Sequence, residues 1–100
     1  MLEAKRYKRT KYNYTVLAVR VTKQNMKDVA LWCGGDVKRT QTPGTGRLYI
    51  SVRVNAQTQA RQKTFVGDWI VKGDHGSPKS YNNDAFHKSF DSVDPLEVRS

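Results

Sequence analysis

Apolar residues follow two different spacings along this chain, and each spacing predicts a different kind of element. Residues 12–22, YNYTVLAVRVT, carry β-branched and aromatic side chains on both faces of an extended chain, which predicts a central strand covered on both sides. Residues 47–55 alternate between apolar and polar side chains, and the apolar ones are Leu48, Ile50, Val52 and Val54. This second pattern predicts a half-buried strand with one side facing solvent.

The spacing becomes that of an amphipathic helix after residue 22. One apolar face recurs at i, i+3, i+4 and i+7 and consists of Met26, Val29, Ala30 and Cys33. Leu31 and Trp32 are expected to broaden this face. We expect Thr22 to cap the start of the helix and Gly34 to end it, because glycine adopts the left-handed conformation without steric cost. The helix would make about three turns and pack on a sheet.

Short polar stretches and glycines predict hairpins in the middle of the chain. Residues 36–41 are expected to form a short polar strand, and residues 42–47 the loop that joins it to the strand at 47–55. Another polar stretch follows a turn at Asn55. Its alternate side chains would extend the polar face of the strand at 47–55: Gln57, Gln59, Arg61 and Lys63.

The segment FVGDWIVKG, residues 65–73, combines two apolar runs with a Gly-Asp pair between them. Gly67 is expected to permit a bend, and Asp68 to hold that bend through backbone amides. Recognition of a partner by Asp68 is the less favoured alternative. Trp69 and Val71 would then lie in a strand and seal the core beneath the helix.

The last part of the domain is predicted to contain an edge strand at residues 78–81 and a final helix capped by Asn82 or Asn83. The anchor of this helix would be Phe86, Phe90 and Val93. The element order predicts the α+β class. We expect a small, strongly bent antiparallel sheet or partial barrel, with one packed helix and a short C-terminal helix.

One hundred residues suffice for one domain. We expect residues 1–11 to form a basic, flexible arm, residues 12–93 a single α+β domain, and residues 94–100 a loose tail. The protein carries 18 Lys and Arg against 9 Asp and Glu, hence a net charge of +9. Residues 1–73 hold 15 of these basic and 4 of these acidic residues, so the attraction for polyanions is concentrated there.

On the strand at 47–55, two arginines flank a tyrosine on the polar face. Arginine beside a ring that can stack on a base is the chemistry of platforms for single-stranded nucleic acid, although an ordinary solvated sheet face has the same pattern. The candidate binding residues lie on the basic arm and on this extended face: Lys5, Arg6, Lys8, Arg9, Lys11, Arg47, Tyr49, Arg53, Arg61 and Lys63.

Residues suited to catalysis or metal binding form no known motif. The single cysteine, Cys33, excludes an internal disulfide and fits a reducing compartment. His75 and His87 have no neighbours at a metal-ligand spacing. We therefore expect a protein that is not an enzyme and binds no metal or cofactor. No apolar run suffices to span a bilayer and the basic N-terminus lacks a signal-peptide core, so we expect no membrane partner.

Three segments occur in the same order as in a widespread group of short phage and prophage proteins, which the chain resembles. They are the helix end WCGG (32–35), VGDWIVKG (66–73) and NDAFHKSFD (83–91). The resemblance implies a phage origin and a small mixed α/β fold, and it supplies no activity. The chain departs from the family at residues 73–81, GDHGSPKSY, which are more polar and contain only Tyr81 as an aromatic residue.

These observations favour a small non-enzymatic phage accessory protein that acts in the host cytoplasm by binding a host macromolecule, in the first place a host protein. The alternative is a nucleic-acid-binding protein that uses the basic arm and the Arg/Tyr strand face. A third possibility, a pocket for a small anion lined by Trp69, needs a cavity for which so small a core rarely has room. The sequence leaves the identity of the partner and the oligomeric state open.

Overall fold

Strands dominate the fold, and two short helices cover them. The computed structural model describes residue 2 and residues 4–11, 14–41, 44–73 and 76–92. In chain order the elements of this part are β1 (Lys5–Arg9), β2 (Thr15–Arg20), α1 (Met26–Cys33), β3 (Asp36–Arg39), β4 (Leu48–Arg53), β5 (Arg61–Thr64), β6 (Trp69–Lys72), β7 (Lys79–Tyr81), α2 (Asn83–Ser89) and β8 (Phe90–Ser92). None of the helices in these ranges is long and apolar enough to cross a membrane.

The strands form two antiparallel sheets. One has five strands in the order β7-β6-β2-β1-β8, and the other has three in the order β3-β4-β5. The α+β class predicted from the sequence is confirmed. The sheets do not close into a barrel, and the described part of the chain has two sheets where one strongly bent sheet or a partial barrel was expected.

The strand β2 lies in the middle of the five-stranded sheet, as its apolar faces predict. Its residue Val19 and the next apolar residue, Val21, just after the strand, join a core cluster with α1 and β4. Its residues Val16 and Ala18 join a second cluster with Phe86 of α2. Because side chains alternate along a strand, this one strand contributes to the core on both sides of its sheet. The first two residues of the predicted strand, Tyr12 and Asn13, lie outside the described residues.

The helix α1 is shorter than predicted but buries the predicted face. It has eight residues, and Met26, Val29, Ala30 and Cys33 are all buried. Its Trp32 packs against the core cluster, whereas Leu31 is 83% exposed, so the apolar face is narrower than expected. The C-terminal cap is confirmed, because Gly34 has a φ of 71° and its N–H donates to the Ala30 carbonyl.

The prediction for the start of α1 is wrong. Asn25, not Thr22, is the N-cap residue. The Thr22 hydroxyl accepts a hydrogen bond from the Asn25 N–H at 3.1 Å, and the Asn25 side-chain oxygen accepts one from the Thr22 N–H at 2.8 Å. The two side chains therefore hold a turn before the helix, and α1 begins one turn later than the sequence suggested.

The expected basic arm is wrong for residues 5–9, which form β1 between β2 and β8. Tyr7 explains this placement. Its ring lies edge-on to Trp69 and to Phe86, with centroids 5.6 and 4.9 Å away. An aromatic side chain in the middle of the basic run thus gives the segment apolar surface to bury, which favours an ordered strand over a solvated arm.

The C-terminal helix begins as predicted and ends earlier. Asn82 is its N-cap, and its side-chain oxygen accepts a hydrogen bond from the Ala85 N–H at 2.8 Å. Phe90 has extended backbone angles and does not continue the helix. It belongs to β8, which is antiparallel to β1, and its partner in the register is Arg9. Phe86 and Phe90 both anchor the core, but from different elements. The third predicted anchor, Val93, and the predicted tail at 94–100 lie outside the described residues.

The Gly-Asp-Trp segment is a turn followed by a core strand. Gly67 has a φ of 97°, and the Asp68 carboxylate accepts a hydrogen bond from the Phe65 N–H at 2.9 Å. Trp69 is 8% exposed and stacks on Phe86 with ring centroids 3.9 Å apart. Trp69 and Val71 therefore seal the core beneath α2, on the side of the sheet opposite α1, so the prediction that they lie beneath the first helix is wrong. A stacked, buried ring of this kind does not line a pocket for a small anion.

Candidate nucleic-acid interface

The three-stranded sheet has one covered face and one open face. Ile50 and Val52 of β4 are fully buried in the cluster that contains the apolar side of α1. The register pairs Lys38 with Tyr49 and Arg53 with Arg61, and cross-strand partners share a face. We call the face opposite α1 the outer face; it carries Asp36, Lys38, Arg47, Tyr49, Ser51, Arg53, Arg61, Lys63 and Phe65.

Two aromatic rings on the outer face are each paired with a cation. The rings of Tyr49 and Phe65 lie with their centroids 5.6 Å apart. The guanidinium carbon of Arg47 lies 4.1 Å from the centroid of Phe65, and the ammonium of Lys63 lies 5.3 Å from that of Tyr49. Both distances are within the range of cation–π attraction. The arrangement holds two half-buried rings and two exposed positive charges side by side.

The other two arginines of the outer face are held by hydrogen bonds. Arg61 donates from one guanidinium nitrogen to the carbonyl and hydroxyl oxygens of Ser51, at 3.0 and 3.1 Å. It also lies 3.9 Å from the Asp36 carboxylate, in an ion pair whose side chains are 41% and 64% exposed. Solvent screening leaves such a pair little net energy. Arg53 donates to the Gln59 side chain at 2.9 Å.

Gln57 and Gln59 do not extend the outer face as a strand, so this prediction is wrong. They lie in the turn before β5, where the Asn55 side chain accepts hydrogen bonds from the N–H groups of Gln57 and Thr58. Gln59 has a φ of 63°, which breaks the alternation that the prediction required. Arg61 and Lys63 do lie on β5 and on the outer face.

Of the candidate residues in the N-terminal segment, all but Lys11 lie on β1 and so belong to the other sheet. Four of them are exposed: Lys5, Arg6, Lys8 and Lys11. Arg9 is half-buried, donates to the Tyr81 hydroxyl at 3.1 Å and lies over the Phe90 ring at 5.1 Å. Arg9 therefore ties β1 to β7 and β8. The structure does not unite the two predicted groups of basic residues into one sheet face.

Sequence reasoning missed three members of the outer face, Asp36, Lys38 and Phe65. Lys38 lies on an edge strand with every residue exposed, and only the pairing of β3 with β4 shows that it stands opposite Tyr49. Phe65 follows Lys63 at the alternating spacing, which could have placed it on this face. Because Phe65 lies in the Gly-Asp-Trp segment, whose pattern is typical of a turn and a core strand, the sequence did not indicate a place on the outer face.

Reactive side chains elsewhere in the chain are engaged in packing. Cys33 is buried, and burial raises the pKa of its thiol above the ordinary value of 9.0, which suppresses the reactive thiolate. His87 lies edge-on to Trp69 and Phe86. In the described ranges no three His, Cys, Asp or Glu residues are grouped in a way that could hold a metal ion. His75 lies outside those ranges.

Fold and site together define a small α+β protein with a cationic, aromatic sheet face. The chain matches no family model, and no curated protein or solved structure was found to be similar to it. The resemblance to short phage and prophage proteins stays a prediction.

Proposed function

We propose that this chain is a non-enzymatic binding protein that holds single-stranded nucleic acid on its outer face. The observation that carries the proposal is the pairing of each ring with a cation, Arg47 with Phe65 and Lys63 with Tyr49. The sequence favours a host protein over nucleic acid as the partner. The rings and charges that lie side by side on the outer face support nucleic acid over a host protein.

The bases would stack on the ring of Tyr49 and on the Arg47 guanidinium that covers Phe65, and the phosphates would lie against the cations around them. Every base has a π-face, so stacking of this kind tolerates any sequence. From Arg47 to Arg53 the strand rises by about 20 Å, which gives room for a few successive nucleotides. A duplex keeps its bases stacked on each other, so the rings favour single strands.

The resemblance to phage proteins supplies the biological setting of the proposal. The protein would act as a phage accessory factor in the host cytoplasm, and host or phage nucleic acid would be the macromolecule it binds. No catalytic group takes part, because recognition rests on charge and stacking alone.

Fluorescence anisotropy with labelled single-stranded and duplex oligonucleotides tests the proposal. The outer face offers five cations: Lys38, Arg47, Arg53, Arg61 and Lys63. If all five meet phosphates, the logarithm of the affinity for a single strand should fall with the logarithm of salt concentration with a slope of about −3.5. Absence of binding at low salt, or tighter binding to the duplex, would contradict the proposal.

Matched variants of Tyr49 and Arg53 separate stacking from charge. Tyr49→Ala should weaken binding by about 1–3 kcal/mol, because one stacked base loses its platform, and Tyr49→Phe should retain most of the affinity. Arg53→Ala should weaken binding and make the salt slope shallower by about 0.7. Lys88→Ala, on the exposed side of α2, is the charge control and should change neither quantity. Equal losses for Arg53→Ala and Lys88→Ala would mean that only net charge matters.

A further inference from the structure

A second surface lies beside the start of α1 and combines apolar and basic side chains. Its floor is made of Met26, Val37, Leu48 and Val66. Its rim carries the cations Lys23, Lys27, Arg39 and Arg47. The cavity has a volume of about 590 Å³. We call this surface the cationic groove.

The floor of the cationic groove is accessible to a partner. Val37, Leu48 and Val66 are 37%, 43% and 46% exposed. They come from β3, from β4 and from the turn before β6, so the fold gathers three apolar side chains from separate elements at one place. A cluster of exposed apolar side chains indicates a binding surface, whereas single exposed apolar residues are ordinary on proteins.

The rim makes the groove selective for negative charge. Among the described residues that line it, all four charged ones are cations and none is a carboxylate. One of these cations is fixed in place: Arg39 donates to the Gly46 carbonyl at 2.9 Å. The Arg39 side chain also passes 3.0 Å from the position that a Cβ on Gly46 would take, so glycine allows the arginine to lie along this wall.

We infer that the cationic groove binds an acidic peptide segment that also carries aliphatic side chains. Aliphatic side chains match the floor, whose described residues include no aromatic ring on which a nucleobase could stack. Aspartate and glutamate match the four cations of the rim, and complementary charge of this kind selects partners and speeds association. Three of the four floor residues remain too exposed to enclose a small molecule, whereas a peptide needs contact on one side only. This inference shares one residue, Arg47, with the proposed binding of nucleic acid and otherwise rests on different side chains.

Selection from a library of random peptides against the full-length chain tests the inference without prior choice of a sequence. The enriched peptides should combine several acidic residues with leucine, isoleucine, valine or methionine. Failure of any peptide to be enriched, or enrichment of neutral or basic peptides, would overturn the inference.

Variants then locate the binding site of an enriched acidic peptide by fluorescence polarisation. Val66→Ser should weaken binding about tenfold, because the peptide loses an apolar contact, and Lys27→Glu should weaken it about fivefold through charge repulsion. Leu31→Ser and Lys88→Glu alter an exposed apolar residue and an exposed cation outside the groove. These two controls should bind the peptide as the unchanged protein does, and circular dichroism verifies that each variant is folded.

The same peptide also distinguishes the groove from the outer face. Tyr49→Ala should leave peptide binding unchanged even though it weakens binding of nucleic acid. If Val66→Ser bound the peptide at full affinity and a single-stranded oligonucleotide displaced it, the peptide would be acting as a general polyanion and the inference would be wrong.

Discussion

Trp69 connects α2 to the five-stranded sheet, and its replacement by alanine measures how strongly the fold depends on that contact. The indole ring stacks on Phe86 with an interplanar angle of 3°. Its Nε1–H donates to the Asn83 side-chain oxygen at 2.9 Å. Trp69→Ala therefore removes buried apolar surface, a stacked ring pair and one hydrogen bond at the same time.

These three losses set the size of the expected effect. Replacement of a buried large aromatic residue by alanine costs about 3–5 kcal/mol of the free energy of unfolding. Within that figure the stacked pair contributes about 0.5–1.5 kcal/mol and the hydrogen bond about 1 kcal/mol. Each kcal/mol lowers Tm by about 4–8 °C in a domain of this size, so Trp69→Ala should lower Tm by at least about 12 °C.

Trp69→Phe provides a milder variant in case the alanine variant does not fold. It retains a ring above Phe86 and loses the N–H donor, so the expected loss is about 1–2 kcal/mol. Asn83→Ala in the unchanged and in the Trp69→Phe backgrounds completes a double-mutant cycle. The coupling energy should be about 1 kcal/mol, the net value of one hydrogen bond.

Urea denaturation followed by circular dichroism measures these free energies without relying on tryptophan fluorescence. The oligonucleotide affinity of each folded variant is measured alongside, and Trp69→Phe should leave it unchanged. If Trp69→Ala kept the Tm of the unchanged protein and lost its affinity for oligonucleotide, Trp69 would be a binding residue and the assignment to the core would be refuted.

Two further predictions concern the end of α1. Gly35→Ala should lower the free energy of unfolding in urea by about 2–3 kcal/mol, because the added Cβ would lie 2.7 Å from the Ser51 carbonyl oxygen. At Gly34 an added Cβ meets no atom within 4 Å, but the φ of 71° is strained for alanine, so Gly34→Ala should cost about 1 kcal/mol. A larger loss for Gly34→Ala than for Gly35→Ala would contradict this reasoning. Burial raises the pKa of the Cys33 thiol, so the folded protein keeps a proton that the unfolded chain loses above the ordinary value of 9.0. The difference in free energy of unfolding between the unchanged protein and Cys33→Ala should therefore be constant below that pH, and above it the unchanged protein should lose stability relative to the variant. If this difference stayed the same at every pH, the prediction would be refuted.

Local sequence patterns predicted those elements that depend on neighbouring residues. The apolar face of α1, its end at Gly34 and the cap at Asn82 need only side chains a few positions apart, and the structure contains all three. The start of α1 was predicted wrongly because Thr22 and Asn25 are both good capping residues. Their reciprocal hydrogen bonds use Thr22 in a turn, which residue preference alone does not reveal.

Elements that depend on distant partners were harder to predict. The strand β1 is a basic run whose order depends on Tyr7 reaching Trp69 and Phe86. The strand β8 continues a helical pattern, and pairing of Phe90 with Arg9 overrides that pattern. In both cases the deciding contact joins residues more than sixty positions apart in the sequence, and spacing within a short window carries no information about it.

The candidate site illustrates the same limit through its aromatic residues. Trp69, Phe86 and Phe90 pack together beneath α2, whereas Phe65 lies under an arginine on the outer face. Composition treats these rings alike, and Phe65 and Trp69 are only four positions apart in the segment FVGDWIVKG. What distinguishes them is the turn at Gly67, which transfers the chain from the edge of one sheet to the interior of the other. The bend that the sequence predicted thus determines which aromatic residue stabilises the core and which is left for a partner.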